Sequence, residues 1–94
     1  MSQASEPAHL NNHHRDTLTQ LFEHPLSHNV EWARTLSLLE AVGSVSQSHD
    51  GTYVVTVGDE TIRMNRPKHK DIDAQQVVDV RRLLDKAGYR PADN

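Results

Sequence analysis

Two turn-forming dipeptides, Asp50-Gly51 and Gly58-Asp59, flank the alternating run Thr52-Tyr53-Val54-Val55-Thr56-Val57. Gly and Asp tolerate the positive φ of a type I′ turn, so each dipeptide predicts a two-residue β-hairpin. Two such turns one strand apart commit the chain to a three-stranded antiparallel meander. The second turn sets 57 opposite 60, 55 opposite 62 and 53 opposite 64, which puts Tyr53, Val55, Val57, Ile62 and Met64 on one face. That face is expected to be buried. Thr52, Val54, Thr56, Thr61, Arg63 and Asn65 fall on the other face, which reads as the wet side of the sheet. Val45 to His49 supplies a polar first strand suited to an edge, and Pro67 removes a ladder donor and closes the third.

Helical periodicity takes over on both sides. Trp32, Leu36 and Leu39 recur at i, i+4 and i+7, widened by Leu38 and Val42, and predict a helix from Asn29 or Glu31 to Val42 with Gly43 as its C′ residue. Asp73 and Gln76 form a capping-box pair opening a second helix, striped by Val77, Val80, Leu83, Leu84 and Ala87. Gly88 fits C′ there, with Tyr89 packing back on Leu84 as in a Schellman motif. Upstream, Asp16 is expected to cap a short helix carrying Leu18, Leu21 and Phe22 on one face, ended by Pro25. The predicted architecture is α+β, in the order αβββα after a short extra N-terminal helix, with both long helices on one face of the sheet. Residues 1–12 read as a disordered tail, 13–90 as a single domain and 91–94 as a C-terminal tail.

A chain of 94 residues, 35% hydrophobic and 4% aromatic, supports one thin two-layer core built on Leu and Val. The absence of Cys excludes disulfides, thiolate chemistry and cysteine-based metal sites. No apolar run approaches the roughly 18 residues of a membrane span and no signal-peptide core is evident, so the expectation is a cytoplasmic protein without membrane contact. Charge is divided unevenly. Met1 to Glu60 holds two basic and eight acidic residues, whereas Thr61 to Asn94 holds eight basic and five acidic ones. A protein of net charge −3 can therefore carry a local basic surface. The residues that would form it are Arg63, Arg66, Lys68, His69 and Lys70, with Arg81 and Arg82 on the last helix.

Histidine spacing offers little for a metal. His24 and His28 have a His-x-x-x-His interval, but Pro25 interrupts it and no carboxylate completes a ligand set; His13 and His14 read as solvated. Neither a metal nor a cofactor is expected. Trp32 shares its face with the leucines and reads as a core anchor, the alternative being a base-stacking surface.

From Trp32 onward the chain resembles the HicA family of bacterial toxin–antitoxin mRNA interferases, which have a double-stranded-RNA-binding-like αβββα fold. The resemblance rests on Leu38-Leu39-Glu40-Ala41-Val42-Gly43 closing the first helix, Gly51-Thr52-Tyr53 where the family has Gly-Ser-His, Pro67-Lys68-His69 before Asp71-Ile72, and the closing run Val80 to Tyr89. It covers about two-thirds of the chain and implies RNA as a ligand and an antitoxin-like protein as a possible partner. One position departs from it. Tyr53 stands where the resemblance implies the catalytic His, and a phenol with a pKa near ~10 is a poor base for the 2′-OH proton beside an imidazole near ~6.5. Tyr53 can instead fill the core, donate a hydrogen bond or stack on a base. His49 and His69 are the candidates for relocated chemistry; lysines beside His69 would favour the neutral ring that a base requires. The sequence thus predicts a HicA-like RNA-binding domain with weak or no ribonuclease activity. The alternatives are an active interferase using His49 or His69 and a protein-interaction domain binding an antitoxin-like partner.

Overall fold

A computed structural model describes residues 10–91; positions 1–9 and 92–94, read above as parts of the two tails, lie outside the described residues. Helix α1 spans Asn12–Leu21, α2 spans Trp32–Val42, and strands β1 (Ser44–Gln47), β2 (Tyr53–Val57) and β3 (Glu60–Met64) lead into α3 (Ala74–Lys86). The strands form one antiparallel sheet in the order β1-β2-β3. This is a small α+β domain in which α2 packs over β1 and β2, α3 packs over β3, and α1 seats against both helices.

The second hairpin has the register its turn dictates, with Tyr53 opposite Met64, Val55 opposite Ile62 and Val57 opposite Glu60. Val55, Val57 and Met64 are buried and join Leu38, Leu39, Val77, Val80 and Leu84 in one core. At about 25 cal/mol per Å² of apolar surface, burying each of these side chains contributes about 1.5–3 kcal/mol. The opposite face stays open. Ser44, Ser46, Thr61, Arg63 and Asn65 are exposed on it, and the Thr56 and Thr61 hydroxyls share a hydrogen bond of 2.9 Å across strands.

The first hairpin departs from the two-residue turn. Gln47 pairs with Tyr53, and the Ser48 N–H donates to the Thr52 carbonyl at 2.8 Å, leaving a three-residue loop, His49-Asp50-Gly51. Strand β1 accordingly stops at Gln47 rather than reaching His49. The Gly51 N–H donates to the Ser48 carbonyl at 3.0 Å, and Gly51 takes φ +89°, the left-handed position of a three-residue hairpin with a bulge. Asp50 selects that turn by accepting from the Ser48 hydroxyl and, at 3.0 Å, from the Thr52 N–H.

Gly43 is needed for a different reason from the one its position suggests. It does not adopt the left-handed C′ conformation: its φ is −161°, extended backbone. A Cβ there would lie 2.0 Å from the Thr56 carbonyl oxygen, so α2 passes into β1 against the backbone of β2. Within α2 the buried residues are Trp32, Thr35, Leu38 and Leu39, and Leu36 lies on the flank. Thr35 can be buried because its hydroxyl donates to the Glu31 carbonyl at 2.8 Å; Thr17 does the same to His13 at 3.0 Å.

Helix α1 starts earlier than Asp16 would have it. Leu10 is buried, which ties the preceding segment to the core, and the Asn11 side chain accepts from the His14 N–H at 2.8 Å as the N-cap. Residues 10–12, read above as the end of the tail, therefore belong to the fold. The helix ends at Leu21, ahead of Pro25. At α3 the caps match the sequence reading: Asp73 and Gln76 form the capping box, and the Tyr89 and Gly88 N–H groups donate to the Leu84 and Asp85 carbonyls as a Schellman motif requires. Among the described residues no helix is long and apolar enough to cross a membrane.

Candidate nucleic-acid interface

Strand β2 begins, and β3 ends, at one end of the sheet, and several segments meet there. The His49–Gly51 turn, Tyr53, the loop from Asn65 to Asp73 and the N-termini of α2 and α3 all lie at this end. Both long helices run from it toward the Gly58 turn, where the Ala87 Cβ lies 3.6 Å from the Cβ position of Gly58.

The loop between β3 and α3 is fixed at both ends. Gln76 Nε2 donates to the Asn65 carbonyl at 2.8 Å, while its Oε1 accepts from the Asp73 N–H at 3.1 Å. One side chain in the first turn of α3 thereby closes the loop. Further along, the Trp32 N–H donates to the Lys70 carbonyl and the Ile72 N–H donates to the Val30 carbonyl, each at 2.8 Å, around a bridge between Glu31 and Asp71. The first N–H of α2, which lacks a side-chain cap, is satisfied by this loop backbone instead. Val30 and Ile72 are buried on either side of the stitch.

That frame holds up a groove of about 380 Å³ lined by Arg63, Asn65, Arg66 and Lys68, with Asp73, Gln76 and Asp79 on the helix side. The two carboxylates are engaged locally: Asp73 accepts from the Gln76 N–H and Asp79 accepts from Gln75 Nε2 at 2.9 Å. Among the described residues no ion pair involves Arg63, Arg66 or Lys68. Three cations therefore face solvent around one concavity, on a backbone ordered without their help. Lys70 is positioned otherwise, 3.8 Å from Glu31, in an exposed pair contributing at most about 1 kcal/mol.

Tyr53 belongs to the core side of this end. Its ring meets Trp32 edge-on, with centroids 5.1 Å apart and planes at 78°, and it packs against the buried cluster. Trp32 itself is only 5% exposed, which leaves no free ring face for a base. His49 and His69 are exposed, and among the described residues neither ring has a hydrogen-bond partner to fix its orientation. Asp50, beside His49, is held down from an ordinary 3.8 to about 2 by the Ser48 hydroxyl and the Thr52 backbone N–H.

The expected basic set divides in space. Arg63, Arg66 and Lys68 surround the groove, with His69 and Lys70 on the same loop. Arg82 borders both a neighbouring crevice with Asp79, Ile62 and Lys86 and the other flank of α3, where Arg81 lies beside Phe22. Gln76 and Asn65 also belong to the site, although charge does not mark them in the sequence. The capping box located Gln76, but its reach to Asn65 is a tertiary contact that no local pattern announces. Among the described residues no group of three or more His, Asp or Glu is placed to hold a metal ion. No family model matches the chain, and no curated protein or solved structure does either.

Proposed function

We propose that this chain is a HicA-like, double-stranded-RNA-binding-like domain that holds structured RNA at the Arg63–Lys70 end, with little or no ribonuclease activity. The observation that carries the reading is the convergence of Arg63, Arg66 and Lys68 on one groove without ion-pair partners among the described residues. Such cations contact phosphates and 2′-hydroxyls and read the shape of an RNA helix rather than its sequence. The αβββα order, with both long helices on one face of the sheet, supports the same reading. Tyr53, where the resemblance implies a catalytic His, is committed to Trp32. Fluorescence anisotropy with a labelled RNA stem–loop tests the proposal. Saturable binding at low salt, weakened in Arg66→Ala/Lys68→Ala, is expected; no binding at low salt contradicts it.

A second reading has its own observation: His49 and His69 occupy the same end of the sheet as the groove. An interferase using either ring would cleave the bound RNA and lose that activity in His49→Ala or His69→Ala. Intact RNA after prolonged incubation is the outcome expected from the binding reading.

A further inference from the structure

A second groove lies on the far flank of α3, where the C-terminal end of α1 meets it. Val78, Arg81, Arg82 and Asp85 recur at helical intervals of three and four and form one stripe of α3; Phe22 faces them from the end of α1. The space between is about 520 Å³, within the 300–1,000 Å³ typical of small-molecule sites. Half-buried Phe22 and Val78 give it apolar walls, and Arg81, Arg82 and Arg90 supply three guanidinium groups.

The charge there is unbalanced in a specific way. Among the described residues Asp85 is the single carboxylate lining the groove, and its Oδ1 already accepts from Arg90 Nε. Among the described residues Arg81 has no such carboxylate partner. Its Nη1 is buried and makes no hydrogen bond among the described residues. A buried guanidinium N–H without an acceptor is costly, so a ligand that draws the Arg81 side chain onto an acceptor relieves that cost. Arginine's planar fork suits phosphate oxygens in paired hydrogen bonds.

We propose that this groove binds a phosphate monoester of mononucleotide size, with half-buried Arg81 as the anchor, Arg82 and Arg90 completing the phosphate contacts, and the ring against Phe22 and Val78. This site is separate from the Arg63–Lys70 face and does not depend on RNA binding there.

The test is an NMR titration of the full chain with adenosine 5′-monophosphate, following arginine Nε–H signals together with Phe22 and Val78. Saturable shifts at Arg81, Phe22 and Val78 are expected, with adenosine shifting them far less because the phosphate is the anchor. Arg81→Gln is expected to weaken binding by roughly tenfold or more. Should that variant not fold, Arg82→Gln/Arg90→Gln, on the exposed rim, is expected to show the same loss. No shift at the groove up to about 10 mM, where even a millimolar site is largely filled, overturns the proposal. So do shifts confined to residues 63–70, or an affinity unchanged in the substituted chain. Because those two regions report separately, failure here is distinguishable from failure of RNA binding.

Discussion

Tyr53 stands edge-on to Trp32, centroids 5.1 Å apart, and this contact joins the first residue of β2 to the first residue of α2. It ties the sheet to the helix layer at the end that carries the cationic groove. The packing uses the ring and not the hydroxyl. Tyr53→Phe is therefore expected to keep stability within about 0.5 kcal/mol and leave RNA affinity unchanged, whereas Trp32→Ala is expected to cost about 3–5 kcal/mol. Urea unfolding followed by circular dichroism measures both. A Tyr53→Phe chain that lost RNA affinity would place the hydroxyl at the interface.

Gly43 illustrates a constraint set by another element's backbone. A methyl group at 2.0 Å from the Thr56 carbonyl oxygen cannot be relieved by turning a side chain, so α2 or β2 has to move. Gly43→Ala is expected to destabilise by about 2–3 kcal/mol, read as a lower urea midpoint at unchanged slope. A neutral substitution would mean that the two segments separate easily.

The turn between β1 and β2 is expected to respond to acid. The Asp50 carboxyl is lowered from 3.8 to about 2, first by the Ser48 hydroxyl and then by the Thr52 backbone N–H. A folded-state value below the unfolded one stabilises the native chain above the unfolded value, and that contribution is lost as pH falls through the folded value. The stability difference between the native sequence and Asp50→Asn is thus full above about pH 4 and shrinks toward pH 2. The carboxyl carbon shift of Asp50 reports the titration directly; a midpoint near 3.8 contradicts the hydrogen-bonded turn.

Local patterns carried most of the fold. Gly58-Asp59 gave the β2–β3 register, and Asp73, Gln76, Gly88 and Tyr89 gave both ends of α3, because these signals act within a few residues. Asp50-Gly51 suits a three-residue loop as well as a two-residue turn, and the Ser48 and Thr52 contacts of Asp50 select the longer one. The start of α1 is not legible locally because Leu10, an isolated apolar residue in a polar stretch, has no periodic partner; only the packed core reveals its burial. The candidate site followed the same division. Charge density marked Arg63 to Lys70, but nothing local separates Arg81 from that set, since its neighbour Phe22 comes from the other end of the chain.

Gln76 provides a test of how the loop is held. Its side chain satisfies the Asn65 carbonyl and the Asp73 N–H, so Gln76→Ala is expected to cost about 1–2 kcal/mol and to speed amide exchange between residues 65 and 73. Gln75→Ala, which removes only the exposed contact to Asp79, is expected to change stability by less than about 0.5 kcal/mol. Equal effects of the two substitutions would show that Gln76 does not close the loop.

The most direct measurement of the central claim is the salt dependence of RNA stem–loop affinity for the native chain and for Arg66→Ala/Lys68→Ala. Each phosphate contact contributes a slope near −0.7 to −0.9 in a plot of log affinity against log salt, so Arg63, Arg66 and Lys68 acting together are expected to give roughly −2 to −3. The double substitution is expected to reduce that slope by about 1–2 and to weaken binding. A native chain that fails to bind at low salt, or a slope unchanged by the substitutions, contradicts the account.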